Sequence, residues 1–305
     1  MDNSTFSIII PTYFSSSIEG TISSIYRQTF QNNILEVLIV GQQNDLLIQD
    51  NSKFRYIQIE KNPSPARNRN TGALLARSEW LCFLDSDCVL MNDWLEKIVK
   101  NLNKTDKIYV GSIDMYPEMP YWSWCDHLLC FGDQVHGIYN GKFLRYVATN
   151  NMVVSKDLFL RIGGFDESFT KPAGEDFDFC TQAAKLGHRI VFINDAIVFH
   201  NHIRKNSNNA WMHLFLFGES TIQRRLKNKN ELSIFHKWEY SILKNKYMGE
   251  IFGLGRILFR AILRPIYRPY FIKYWRYLPG ILILDIAHTK GMINYLRNNN
   301  KDFIN

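Results

Sequence analysis

Two aspartates one residue apart, Asp85 and Asp87, follow the apolar run Trp80-Leu81-Cys82-Phe83-Leu84. A short apolar run bounded by polar residues reads as a buried strand. Its carboxylates then stand at the carboxyl end of that strand, where open α/β sheets bind ligands. Paired carboxylates there can hold a divalent cation, and the cation can hold phosphate oxygens. Asp-Ser-Asp also suits an ordinary strand-to-loop exit, since Asp and Ser are common turn residues. The surrounding chain favours the first reading.

A second acidic pair, Glu175-Asp176, opens a helical stretch near residues 176–186. Acidic residues favour the positive end of a helix dipole, so the pair reads as a helix start as well as a chemical site. His200 and His202 lie two residues apart and share one face if the chain there is extended. Either histidine alone reads as an ordinary surface or core residue.

The elements that must position these groups can be read from the apolar pattern. Phe6-Ser7-Ile8-Ile9-Ile10, ending at Pro11, is a first strand; Glu36–Gly41 is a second, and Arg55–Ile59 a shorter, alternating third. Helical spacing follows the first strand over Ile18–Arg27, and a second helix over residues 66–78 precedes the strand at 80–84. Strands alternating with helices predict a parallel α/β sheet. From about residue 108 the pattern loosens, with strands at 108–111, 152–154 and 189–193 and helices at 156–162 and 176–186.

The 305 residues allow one large domain or one domain with an appendage. Charge divides the chain: residues 203–305 hold 18 Lys and Arg against 6 Asp and Glu, whereas residues 1–202 hold 18 against 23. The division predicts domains at 1–205 and 206–305, the second in contact with an anionic surface. Five cysteines without close metal-type pairs suit reduced thiols in the cytoplasm. Met1–Thr5 lacks the basic start and apolar core of a signal peptide, and no run of 18 apolar residues predicts a spanning helix. The expected location is cytoplasmic, with peripheral attachment at the inner face of the cell membrane.

Six segments occur in a telling order: Ser7–Tyr13, Arg69-Asn70-Thr71-Gly72-Ala73, Phe83–Asp87, Gly163-Gly164-Phe165-Asp166-Glu167, Gly174–Asp178 and Val198-Phe199-His200. Together they resemble the family 2 glycosyltransferases, inverting enzymes of the GT-A fold, over roughly residues 6–202. The resemblance implies a mixed, mainly parallel nucleotide-binding sheet flanked by helices, here with a helical C-terminal extension. It implies a nucleoside-diphosphate sugar as donor and a saccharide or lipid-linked saccharide hydroxyl as acceptor, in surface polysaccharide biosynthesis. Asp87 and Asp85 would hold Mn²⁺ or Mg²⁺, with Asp87 the direct ligand and Asp85 reaching ribose or metal-bound water. His200 would complete the coordination, with His202 as its rival. A Lewis acid there stabilises the diphosphate leaving group, and an imidazole ligand tilts the choice toward Mn²⁺. Inversion needs one carboxylate to take the acceptor proton, a role that falls to Asp176, with Glu175 orienting the acceptor and Asp178 structural. Pro11, Thr12 and Tyr13 would receive the nucleotide base, and Arg69 would contact base or phosphate, with Arg67 competing. Asn70 and Gly72 would shape the helix start.

One departure bears on the nucleotide. Relatives commonly end the second strand with paired aspartates, but this chain has Gly41-Gln42-Gln43-Asn44-Asp45. A base contact would then come from Gln42, Asn44, Asp45 or backbone. A non-catalytic binding protein or a nucleotidyltransferase is the rival class; the latter normally needs a glycine-rich basic loop, which Pro11–Ser15 is not.

In the C-terminal third, Arg256, Arg260, Arg264 and Arg268 recur every fourth residue among apolar residues. This predicts a helix with a narrow basic stripe, broken at Pro265 and Pro269. The stripe, with Tyr121-Trp122-Ser123-Trp124, suits an anionic membrane surface. Packing against the catalytic domain is the competing reading, and nucleic acid is disfavoured because no binding module accompanies the charge.

Overall fold

The strands at residues 6–13, 34–42 and 80–83 alternate their side chains between two apolar layers. Ile8, Ile10, Val37, Ile39, Trp80 and Cys82 enter one layer, while Ile9, Leu38, Val40, Leu81 and Phe83 enter the other. A sheet covered on both faces needs apolar residues at successive positions, which is why these strands read as unbroken apolar runs. The computed structural model describes residues 4–43, 53–61, 63–102, 107–139, 141–169, 173–227, 234–268 and 270–299. Within these the chain forms two units, one of Met1–Pro117 with Phe131–His202 and one of Glu118–Cys130 with Ile203–Asn305. Residues 118–130, which the charge division left with the N-terminal domain, thus belong to the second unit.

The first unit contains β1 (Phe6–Tyr13), α1 (Ile18–Tyr26), β2 (Ile34–Gln42), β3 (Phe54–Gln58), α2 (Pro65–Leu75), β4 (Trp80–Phe83), β5 (Cys88–Leu90), α3 (Trp94–Asn101) and β6 (Ile108–Asp114). After α4 (Tyr121–Phe131), nearly all of which belongs to the other unit, come β7 (Phe143–Leu144), β8 (Met152–Ser155), α5 (Lys156–Ile162), α6 (Glu175–Lys185) and β9 (Ile190–His200). The sheet order is β3-β2-β1-β4-β8-β6-β9-β5, with β7 beside β9. Pairing is parallel through β3, β2, β1 and β4 and between β6 and β9; β8, β5 and β7 pair antiparallel. α1 and α3 cover one face, and α2, α5 and α6 the other. This is the mixed, mainly parallel sheet flanked by helices that the resemblance implies.

β1 runs through Pro11 rather than ending there. Leu84 N donates to Ile9 O, so Ile9 faces β4, and Pro11 two residues on faces the same side after β4 has stopped at Phe83. The N–H that proline lacks therefore has no ladder partner to lose. α2 packs close upon β1: a Cβ on Gly72 would lie 2.5 Å from Ile9 Cγ2, which only glycine avoids. Because β2 and β4 flank β1, the chain reverses its direction of winding there. The crevice outside such a reversal point is where α/β sheets take ligands.

The second unit adds α7 (Ser207–Lys227), α8 (Ile234–Lys244), α9 (Met248–Tyr267), α10 (Tyr270–Lys273) and α11 (Leu278–Asn298). Trp124 of α4 is buried against Tyr274 and Tyr277, with ring centroids 5.7 Å away in each case. The aromatic cluster expected at a membrane surface is therefore anchored in this unit's own packing. α9 continues two residues past Pro265, whose missing N–H withdraws one donor from the helix ladder, and stops at Tyr267; Pro269 lies outside the described residues. No helix among the described residues is long and apolar enough to cross a membrane, and none of the five cysteines, all of them among the described residues, is in a disulfide.

The arginine stripe of α9 faces inward. Arg264 makes a two-pronged ion pair with the buried Asp285 of α11, and Arg260 approaches the same carboxylate at 3.6 Å. Arg256 Nε lies 2.9 Å from buried Glu239 of α8, and Arg256 Nη1 donates to Thr289 Oγ1. Removing one partner of a buried pair leaves the other charge uncompensated. Asp285→Ala is therefore expected to destabilise this unit by about 3–5 kcal/mol, read as a lowered denaturant midpoint. A midpoint equal to wild type would refute this account of the stripe.

Candidate active site

Asp87 and His200 are distant in sequence, and the sheet joins them. β5 pairs antiparallel with β9 in a register that sets Cys88 opposite His200, and Asn201 N donates to Asp87 O at 2.8 Å. His200 Nε2 then lies 3.3 Å from Asp87 Oδ1. The rings of His200 and His202 lie 4.7 Å apart, and the ring of Phe131 meets His200 edge-on. One ligand atom from each of Asp87, His200 and His202 falls within 4.8 Å of the others. Burial works to raise the Asp87 carboxyl, but the two imidazoles outweigh it and bring the pKa down to about 2. An ionised carboxylate with two imidazoles is a donor set that can hold a divalent metal ion.

Asp85 is not in this group. Its Oδ1 accepts from Arg69 Nη2 at 2.6 Å, and Arg69 Nη1 donates to Glu175 Oε1 at 2.8 Å. Arg69 was expected to touch base or phosphate, yet it is buried and bridges two carboxylates, tying α2 to the β4 exit and to the start of α6. Glu175 is likewise buried, so its charge is matched by Arg69 rather than presented to an acceptor. These corrections share one cause: a guanidinium in a closed interior must be paired, and it takes the nearest carboxylates.

Asp176 is half-buried at the first turn of α6, where its Oδ1 accepts from Phe177 N at 2.7 Å and from Gly174 N at 3.4 Å. Ala173 and Gly174 reach this turn at φ +99° and +112°. That is a conformation a side-chain-bearing residue enters only at a cost, and one that recurs at functional sites. Burial, reinforced by the neighbouring Glu175, raises the Asp176 carboxyl to about 7, with backbone N–H groups and Arg69 opposing. Burial likewise raises Glu175, with Arg69 opposing. Asp178 is buried in the same first turn.

At the β1 exit, Tyr13 is 66% exposed with Phe14 edge-on beside it, so an aromatic face is open there. Thr12 is buried, and its hydroxyl donates to Gln43 Oε1 at 2.8 Å. Gln43 was not singled out from the sequence. Its amide also accepts from Ser15 N and donates to Ser15 O, so it fastens the loop after β1 to the end of β2. The amide pair Gln42-Gln43 following a strand was the available signal. Gln42 donates to Ile59 O and Glu60 O, while Asn44 and Asp45 lie outside the described residues. Asn70 also differs from expectation: it clasps the 163–167 loop, accepting from Phe165 N and donating to Phe165 O and Glu167 Oε1. Arg67, the competitor of Arg69, donates to Lys61 O.

The sequence profile of glycosyl transferase family 2 matches residues 7–163, and that of a glycosyltransferase-like family 2 matches residues 126–241. The first covers more than half of the chain. The chain belongs to glycosyl transferase family 2 and is a glycosyltransferase. Among relatives it is similar to the amylovoran biosynthesis glycosyltransferase AmsB of Erwinia amylovora, 25% identical over 227 residues, covering 63% of this chain and 68% of AmsB. It is 27% identical over 143 residues to the pre-mycofactocin glycosyltransferase of Mycobacterium tuberculosis, covering 45% of this chain and 30% of that protein. Among solved structures, the mannosyltransferase PcManGT of Pyrobaculum calidifontis, in complex with GDP-Man and Mn²⁺, superposes with a TM-score of 0.55 at 16% identity. That match covers 92% of this chain and 86% of PcManGT. GalNAc-T7 with UDP, GalNAc and Mn²⁺ gives 0.54 at 15% identity, covering 74% of this chain and 50% of GalNAc-T7. At these identities the two structures speak for the fold.

Proposed function

We propose that this chain transfers a sugar, with inversion, from a nucleoside diphosphate to a saccharide or lipid-linked saccharide hydroxyl in polysaccharide biosynthesis. The observation that carries the reading is the pairing of two unlike sites in one unit. A carboxylate–imidazole group lies at Asp87, His200 and His202, and a carboxyl raised by burial, Asp176, lies at the start of α6. Asp87 with His200 and His202 would hold Mn²⁺ or Mg²⁺, which when bound supplies Lewis-acid stabilisation of the diphosphate. PcManGT and GalNAc-T7, which share the fold, were both solved with Mn²⁺ and a nucleotide, and AmsB is named for amylovoran biosynthesis.

Asp176 takes the proton from the acceptor hydroxyl as it attacks, and a carboxyl brought to about 7 is well matched to that transfer near neutral pH. Arg69 acts as a positioning residue: by holding Asp85 and Glu175 it fixes the β4 exit against α6, so that donor and acceptor groups meet in one place. Tyr13 offers the stacking face for the base, and Pro11 and Thr12 set the backbone that carries it.

Thermal unfolding in the presence of individual UDP- and GDP-sugars, with and without Mn²⁺, tests the reading. A ligand bound only by the native state at a hundred times its Kd stabilises by about 2.7 kcal/mol. The true donor is expected to raise Tm with metal and to do so far less without it. Failure of every sugar nucleotide to raise Tm in the presence of Mn²⁺ would overturn the proposal.

A further inference from the structure

α9 turns its sequence pattern inside out. Met248, Ile251, Leu254, Gly255, Leu258, Phe259, Ile262 and Ile266 recur at helical spacing and form one exposed face without a charged residue. From Ile251 to Ile266 its side chains are between 57 and 74% exposed. The arginines that were expected to meet a surface are instead paired within the unit, on Glu239 and Asp285. A contiguous apolar face of this size marks an interaction site.

The surroundings of the face say what covers it. Residues 244–276 hold eight Lys and Arg against one acid, Glu250; three of the eight, Arg256, Arg260 and Arg264, are the inward-paired ones, which leaves five. Exposed Lys246 stands before the helix, and exposed Lys273 and Arg276 follow it. Exposed aromatics occupy the same two flanks, Tyr247 at the start and Trp275 after α10, with Ile272 exposed between the helix and Trp275. Aromatic rings and cations bracketing an apolar helix face match the headgroup zone of an anionic bilayer. The inward arginines prevent α9 from crossing the membrane, and no described helix has spanning character.

We infer that the exposed face of α9 lies in the interfacial plane of an anionic lipid bilayer, with its apolar side chains among the acyl chains and the flanking cations on the headgroups. Insertion of side chains, rather than contact through the arginine stripe, holds the protein there. This inference goes beyond the transfer reading and does not depend on it.

Co-flotation of the full-length protein with vesicles of phosphatidylcholine, with and without phosphatidylglycerol, tests it in the absence of donor and acceptor. Wild type is expected to float with the anionic vesicles and less well with the zwitterionic ones. The double variant Leu258→Gln/Ile262→Gln keeps the net charge and alters exposed positions, so an unchanged Tm shows that it folds. Its partitioning is expected to fall by about tenfold or more, as polar groups replace apolar area. Wild type that stays unbound, a variant that binds as wild type does, or equal binding to both vesicle types overturns the inference. So does a dimer seen by light scattering, dispersed by the variant, in a protein that ignores vesicles. A positive donor-dependent Tm shift alongside absent flotation would leave the transfer reading standing and this one refuted.

Discussion

Asp176→Asn is expected to lower the transfer rate by about 10²- to 10⁴-fold, the usual worth of a positioned general base. Donor affinity is expected to stay as in wild type, because the group formed by Asp87, His200 and His202 contains no atom of Asp176. The amide keeps the shape of the carboxyl and can still accept from Phe177 N and Gly174 N, so α6 should start as it does now. The pH dependence sharpens the test. Burial, added to by the adjacent Glu175, raises the Asp176 carboxyl to about 7. Only the ionised form accepts a proton, so kcat/KM should climb as pH rises through about 7 and level off above it. In Asp176→Asn the residual rate should lose that limb. Transfer at the wild-type rate, or a limb that survives the substitution, would remove Asp176 from the role of base.

Asp87→Asn is the second large effect, and it separates from the first by what it spares. Asp87 is the carboxylate of the group it forms with two imidazoles, and its anionic form is held firmly, with a pKa of about 2. Loss of that charge is expected to weaken metal-dependent donor binding by about a hundredfold or more, since even supporting residues around a metal are worth 10- to 100-fold. Titration calorimetry with Mn²⁺ and the donor would read this directly. His200→Ala should act in the same direction and also shift the preference from Mn²⁺ toward Mg²⁺, as the site loses a nitrogen ligand. A variant lacking Asp87 that binds donor and metal with wild-type affinity would show that the group serves another purpose. Asp176→Asn with intact donor binding, set against Asp87→Asn without it, places the two carboxylates in different steps.

Several parts of this architecture are legible in the linear chain. The runs at Phe6–Ile10, Glu36–Gly41 and Trp80–Leu84 announce strands because both faces of the sheet are covered, α1 follows from its spacing, and the helical stretches read near 66–78, 156–162 and 176–186 overlap α2, α5 and α6. The short strands β5 and β7 carry too few residues for any periodicity, so they escape such a reading. Yet it is β5, paired with β9, that sets Asp87 beside His200. Arg69 shows a similar limit. Its place in Arg69–Ala73 suggested a ligand contact, whereas the fold closes around it and gives its charge to Asp85 and Glu175. Gln43 takes up the loop after β1 for a comparable reason: a buried hydroxyl and a backbone N–H at that corner needed an acceptor, and no local spacing reports such a need.

The chain's own order of residues determined the strands that form the sheet, the family to which the carboxylates and histidine belong, and the existence of α9 as a two-faced helix. Tertiary structure alone decided which of those faces is turned outward. The four-residue arginine repeat is compatible with either orientation, because helical periodicity specifies two faces and leaves their surroundings open. Glu239 on α8 and Asp285 on α11 settle the matter by offering buried carboxylates to the arginines, and the apolar residues are left on the outside.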